Sequence, residues 1–231
     1  MIVLGLDTSH YTNAVGVVEG DKVLADFTYE AKTDSLEQIV ANIESTLQSA
    51  GLTLKDVEGI GVGLGPGSWT GIRVGVTVGK ILAFSAGKPV AGVPTLEALA
   101  YAARNESPLI CAVIGAGTGD AVYAALYRPE NGAVGRISEY YVGDVKGLTA
   151  LLTGPAVLAG NGSQAYAGLI KQETGMNIKA VEALPGGASV ACLASRRLER
   201  GEKDDVLSLT PLYLKESTAK AFVNKYKSNH A

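Results

Sequence analysis

Read for the alternation of apolar and polar positions, the chain opens with three strand-type runs, Ile2 to Leu6, Ala14 to Glu19 and Val23 to Tyr29. Gly20-Asp21 joins the last two as a hairpin turn, so the first thirty residues predict an antiparallel meander. The period then changes. Leu36, Ile39, Val40, Ile43, Leu47 and Ala50 recur at helical spacing. They predict a helix over 36–50 with Asp34 or Ser35 as N-cap, Glu37 or Gln38 placed for a capping box, and Gly51 at its C-terminal end. Ile60 to Leu64 reads as a buried strand, followed by the loop Gly65-Pro66-Gly67-Ser68-Trp69-Thr70-Gly71. A helix from Gly71 to Ala86, a strand from Val90 to Gly92 and a helix from Thr95 to Arg104 complete this half.

The second half repeats the order without repeating the sequence. Leu109 to Gly115, Ala121 to Tyr127 and Val134 to Val142 read as strands, the last two joined through Asn131-Gly132. Helices are predicted over Val145 to Leu152, Gln164 to Thr174 and Ser189 to Arg200, with strands at Ala156 to Ala159 and Ile178 to Val181. Each half therefore reads β-β-β-α-β-α-β-α. Alternating βα units beside a meander imply two mixed sheets with helices on both faces and a cleft between the halves. The polar stretch Asn105-Glu106-Ser107-Pro108 divides the chain into domains 1–104 and 105–231.

Composition narrows the function classes. Of 231 residues 47% are hydrophobic and 19% charged, enough to bury a sizeable core, and the net charge of −3 gives no global field that would hold a nucleic acid. Met1 to Leu6 runs straight into Asp7, too short and too lightly flanked for a signal peptide, and Lys80 interrupts the longest apolar run. A cytoplasmic protein without membrane contact is expected. Cys111 and Cys192, far apart and in apolar stretches, read as buried reduced thiols, and no metal site is expected.

Candidate chemistry is sparse. Asp7-Thr8-Ser9, at the end of the first strand, offers a carboxylate and two hydroxyls that would either point into the cleft to hold hydrated Mg²⁺ and a phosphate, or cap local backbone groups in a turn. The loop with Gly65 and Gly67 launches a helix and could contact an anion. It lacks a Gly-Lys-Ser/Thr ending, a GxGxxG register, and the glycines that would flank Ser68 in a nucleophile elbow. Of the two histidines, His10, beside the aspartate motif, is the one candidate base, although a lone histidine beside a turn is more often structural, and His10 and His230 cannot form a metal pair. No catalytic residue is assigned.

The helix behind the loop is unusual. Gly71, Gly75, Gly79 and Ala83 recur every four residues and form one smooth stripe. An interior glycine costs about 1 kcal/mol against alanine, so the stripe asks for a compensating close approach. Val74, Val76, Val78, Ile81 and Leu82 make most of the remaining circumference apolar, leaving a narrow polar stripe through Arg73, Thr77 and Lys80. Such a helix should be buried on more than one side, either wholly within its domain or partly against a partner. Lys215, Lys220, Lys225 and Lys227, with Arg196, Arg197 and Arg200, read as a solvated basic face or a local RNA contact.

Asp7-Thr8-Ser9, the run Gly65 to Gly75 (GPGSWTGIRVG), and Gly92-Val93-Pro94-Thr95-Leu96-Glu97-Ala98-Leu99-Ala100 together resemble the bacterial TsaB (YeaZ) family. In the second half the resemblance rests on Val122 to Tyr127 and Pro211-Leu212-Tyr213-Leu214-Lys215. It implies an α/β protein of the actin-like ATPase (ASKHA, RNase H-like) fold. It also implies a non-catalytic scaffold subunit in the synthesis of threonylcarbamoyladenosine beside the tRNA anticodon. The implied partners are a metal-bearing catalytic TsaD subunit and a TsaE ATPase subunit, with tRNA met only through the complex and a homodimer formed when the chain is alone.

The docking helices implied are 36–50 and 71–86, with Leu36, Ile39, Val40, Ile43, Leu47, Gly71, Arg73, Val74, Gly75, Val78, Gly79 and Leu82 at the interface. No cofactor is required, although ADP or ATP with Mg²⁺ has a place at the cleft, through Asp7, Thr8, Ser9, Gly65 and Gly67, or at a partner interface. Two positions depart from the family pattern. Asp34-Ser35-Leu36-Glu37 stands where relatives usually carry His-Ser-Glu. Gly115-Ala116-Gly117 stands where they often carry Asp-Ala-Arg, which removes a carboxylate and weighs against the rival reading, an autonomous actin-fold ATPase or small-molecule kinase.

Overall fold

The computed structural model describes residues 1–30, 35–116, 121–161 and 163–215. Asp34, Gly117, Lys220, Lys225, Lys227, His230 and the side chain of Leu36 lie outside the described residues.

β1 (Ile2–Asp7), β2 (Thr12–Glu19) and β3 (Lys22–Glu30) form the expected antiparallel meander, with Gly20 in the left-handed conformation at the hairpin. After α1 (Ser35–Ser49), β4 (Gly59–Gly63) pairs parallel to β1. After α2 (Trp69–Ala86), β5 (Val90–Val93) pairs parallel to β4. The first sheet is therefore ordered β3-β2-β1-β4-β5. α3 (Thr95–Ala102) then leads to the second sheet, built from β6 (Ile110–Gly115), β7 (Ala121–Glu130), β8 (Ala133–Arg136), β9 (Tyr141–Asp144), β10 (Ala156–Ala159) and β11 (Ile178–Val181). α4 (Val145–Leu148) and α5 (Ser163–Thr174) cover its outer face, and α6 (Gly187–Glu199) closes the described order of elements. No described helix is long and apolar enough to cross a membrane.

Two details differ from the sequence expectation. The single strand expected over 134–142 is two strands on β7, β8 against Tyr127–Glu130 and β9 against Ala121–Ala124. Between them the backbone N–H of Leu126 donates to Ser138 Oγ instead of to a backbone carbonyl, so a side chain interrupts the ladder. The helix expected over 145–152 stops at Leu148 and continues as a 3₁₀ turn through Leu151.

The larger difference concerns the helices between the sheets. α3 packs on β6, β7 and β8 of the second sheet, whereas α6 packs on β1, β2 and β4 of the first, and the two helices touch each other. The helix read over 189–200 as part of the second half thus covers the first. Small residues permit it. A side chain at Gly5 or Gly16 would overlap the α6 backbone, so the strands approach the Gly187, Ala188 and Ala191 turns at backbone distance. One apolar cluster runs from Val3 and Val18 through Leu96, Leu99, Val190 and Leu193 to Ile110, Tyr127 and Val157, and so spans both sheets.

The chain after α6 stays with the first lobe. Asp204 accepts from Gly92 N at 2.7 Å and pairs with Arg197, Lys80 Nζ donates to the carbonyls of Leu207 and Leu209 at 2.9 Å each, and Leu212 N donates to Leu64 O at 2.8 Å. Residues 203–215 form a strap from the far end of the lobe back to the cleft.

Candidate functional site: an inter-lobe cleft and an exposed helix ridge

β1 delivers Asp7 to the cleft end of the first sheet, but the carboxylate turns inward. Only 1% of the residue is exposed. Oδ1 accepts from Ser9 N at 2.8 Å and from Ser9 Oγ at 2.6 Å, and Oδ2 accepts from Thr95 Oγ1 at 2.8 Å. Thr95, the first residue of α3, also accepts from Gly65 N at 3.1 Å and donates its own N–H to Gly65 O at 2.8 Å. Asp7 thereby ties the first strand, the glycine loop and α3 into one junction. Burial raises its pKa above the ordinary carboxylate value, against the hydrogen bonds from Ser9 and Thr95.

The glycine loop closes over the same junction. Ser68 N donates to Ser9 O at 2.7 Å, and a Cβ at Gly67 would overlap that carbonyl, while Gly65 adopts a φ of 92°. Ser68 caps α2 by accepting from Gly71 N at 3.3 Å, and Thr8 Oγ1 donates to Gly71 O at 2.7 Å. Gly87, left-handed, ends the helix by donating to Ala83 O and Phe84 O.

In front of this junction lies a cavity of about 410 Å³, lined from the first lobe by Ser9, His10, Tyr11 and Gly67 to Trp69, from the second by Ile114 to Ala116 and Tyr123, and by Lys215 of the strap. No carboxylate is among these lining residues, and Asp7 sits behind Ser9. Of the two alternatives for Asp7, a cleft-facing ligand of Mg²⁺ and a local cap, the geometry matches the second. Its oxygens are taken by three donors, which is the local-capping alternative. Among the described lining residues Lys215 is the one lysine or arginine. Among the described residues this wall offers no carboxylate to hold the Mg²⁺ of a nucleotide. His10 hydrogen-bonds Asn161 of the second lobe, and burial lowers its pKa. Among the described residues no three His, Cys, Asp or Glu side chains converge as a metal site.

The glycine stripe of α2 is corrected as well. A Cβ at Gly71 or Gly75 would overlap Thr8, and one at Gly79 would overlap Val62 of β4. The close approach demanded by the stripe is met inside the lobe, with Gly75 and Gly79 buried and Gly71 half-buried. Ile39, Ile43 and Leu47 of α1 are likewise core residues, at 0%, 5% and 4% exposure, packed with Ile72 and Val76.

The outward face of α2 is a different set. Thr70, Arg73, Thr77, Ile81 and Phe84 are exposed, the last two at 60% and 69%, with Val74, Val78 and Leu82 half-buried beside them. On α1, Val40 is 59% exposed. Of the residues expected at an interface, Val40, Arg73, Val74, Val78 and Leu82 reach the surface, and Ile81 and Phe84 were missed. The four-residue steps from Arg73 through Thr77 to Ile81, with Phe84 three further on, place them on the face away from the glycine stripe. At the cleft end of this ridge Trp69 stacks on Tyr213 with centroids 4.2 Å apart, and Arg73 lies over both rings and donates to Tyr213 Oη at 2.9 Å.

Comparisons with known proteins agree with this architecture. A family model described as "TsaD: tRNA N6-adenosine threonylcarbamoyltransferase" matches residues 23–221. The tRNA threonylcarbamoyladenosine biosynthesis protein TsaB of Bacillus subtilis is 30% identical over 228 residues, covering 96% of this chain and 97% of that protein. YeaZ from Pseudomonas aeruginosa superposes with a TM-score of 0.80 at 24% identity over 92% of this chain and 99% of that one. The ROK hexokinase of Thermus thermophilus superposes with a TM-score of 0.53 at 14% identity over 87% of this chain and 100% of that one, a likeness of fold alone that fits the actin-like class.

Proposed function

The chain belongs to the TsaB (YeaZ) family, within the wider group described by the TsaD model, and we propose that it serves tRNA threonylcarbamoyladenosine synthesis as a non-catalytic subunit docked on a TsaD-type catalytic chain. The observation that carries the docking is the division of α2 into two faces. One is a glycine face held against Thr8 and Val62, and the other is an exposed ridge bearing Ile81 and Phe84. A helix already anchored on one side and carrying exposed apolar side chains among polar ones on the other suits a helix-to-helix contact. Val40 of α1 and the aliphatic edge of Val74, Val78 and Leu82 widen the face.

The non-catalytic role is supported by Asp7, whose carboxylate is committed to structure, and by the described residues of the cleft wall, none of which is a carboxylate. A TsaE-type ATPase joins the pair in this reading, tRNA is met through the complex, and the same ridge pairs two copies when the partner is absent. No nucleotide is required in this chain's own cleft.

Co-expression with the TsaD-type chain of the same genome tests the proposal. Wild-type chain is expected to co-elute with it as a stable heterodimer, and separate elution would overturn the docking. Retention of the pair by a Phe84→Asp variant would place the contact elsewhere on the surface.

A further inference from the structure

At the end opposite the cleft one side chain bonds to both lobes. Arg196, on α6, directs Nε and Nη2 at Asp21 in the β2–β3 turn, with Nε to Oδ1 at 3.2 Å and Nη2 to Oδ1 and Oδ2 at 2.8 and 2.9 Å. Its remaining nitrogen, Nη1, donates to the carbonyl of Asn131 in the β7–β8 turn at 3.1 Å. Asp21 belongs to the first sheet and Asn131 to the second. Both turns lie away from the cleft, because Asp7 and Gly115 mark the cleft ends of β1 and β6, while Glu19 pairs with Ile2 and Tyr127 with Ile110 at the other ends.

What this contact opposes follows from the layer between the sheets. α6 rides on the first sheet and α3 on the second, so any change of angle between the lobes is a slide of α3 along α6, the shear type of domain motion. Their contact is largely apolar, with Tyr101 of α3 meeting Cys192 of α6, and packed apolar side chains resist separation more than sliding. A directional restraint has to come from polar groups that cross the layer. Arg196 supplies it: the guanidinium is planar and rigid, one edge reads the Asp21 carboxylate, and the nitrogen on the other side reaches across to the second sheet. A lysine could satisfy one partner, not both in fixed geometry.

We propose that Arg196 is a clamp that fixes the angle between the two lobes, and with it the width of the cleft. An exposed ion pair contributes little to global stability, so releasing the clamp acts on lobe geometry more than on unfolding. The inference is independent of the docking face on α2.

Pulsed electron paramagnetic resonance on the full chain tests it, with nitroxide labels on Ser45→Cys in α1 and Gln172→Cys in α5, both exposed positions, while native Cys111 and Cys192 are buried. The parent is expected to give one narrow distance distribution. Arg196→Ala and Asp21→Ala are each expected to broaden it and to shift part of it to new separations, with circular dichroism unchanged. An unchanged distribution in either folded variant overturns the clamp. If Arg196→Ala does not fold, Asp21→Ala, which alters only a surface turn, decides alone.

Discussion

Gly75 of α2 packs against Thr8 so closely that any side chain at position 75 would overlap Thr8 Oγ1, the atom that donates to Gly71 O at 2.7 Å. A Gly75→Val substitution is therefore a test of folding, not of partner binding. It should destabilise the isolated chain by about 1–3 kcal/mol through overpacking, read from the urea midpoint. A variant as stable as the parent would mean that the glycine face is not seated on β1 as described.

On the opposite face of the same helix the expectation reverses. Phe84→Asp and Val40→Asp should leave the unfolding free energy within about 0.5 kcal/mol of the parent, since neither side chain is in the core. Sedimentation velocity should show self-association of the parent that both substitutions weaken. Dimers of undiminished strength would remove the ridge from the proposed interface.

Trp69 is the only tryptophan of the chain, and it reports on the strap. Tyr213→Ala removes its stacking partner and the acceptor of Arg73. The loss should cost about 0.5–1.5 kcal/mol beyond the buried area. Trp69 emission should shift to longer wavelength as water reaches the ring. A spectrum identical to the parent would show that the strap does not rest on α2 in solution.

Thr95→Val tests the Asp7 junction and carries a pH signature. Burial holds the folded pKa of Asp7 above 3.8, so as pH rises from 3.8 through the folded value the unfolded state loses its proton first. By linkage this group's contribution to stability falls across that window and is flat above it. Removing the Thr95 hydroxyl takes away one hydrogen bond that favours the ionised form and pushes the pKa higher still. The variant should lose about 1–3 kcal/mol near neutral pH, with a smaller loss in acid, where Asp7 is protonated. Unfolding curves across the pH range check this, and a loss that grows toward acid would contradict the assigned bond.

The thiols give a further check. Burial pushes Cys111 up to about 12 and raises Cys192 as well, so neither is a nucleophile near pH 8. Ellman's reagent should react with no thiol of the native chain and with both after denaturation. Rapid reaction of the native chain would place a thiol at the surface.

Sequence alone determined most of the elements, because local signals fix them; the exceptions are the split of 134–142 into β8 and β9 and the short α4. Gly20-Asp21 and Asn131-Gly132 specify hairpins, and Gly51 ends α1 in the left-handed region. The motifs from Gly65 to Gly75 and from Gly92 to Ala100 also carried the family. Tertiary structure decided what each buried face meets. Periodicity reports that Gly71, Gly75 and Gly79 need a close neighbour, but a strand of the same lobe and a helix of another protein leave the same pattern. Only the packing on Thr8 and Val62 separates them, and it moves the candidate interface to Ile81 and Phe84. The direction of the Asp7 carboxylate was undetermined for a related reason: its third donor, Thr95, is 88 residues away. The exchange of α3 and α6 between the sheets was equally out of reach. It depends on glycines at 5 and 16 that admit a helix whose sequence lies some 170 residues further on, a contact that no local pattern encodes.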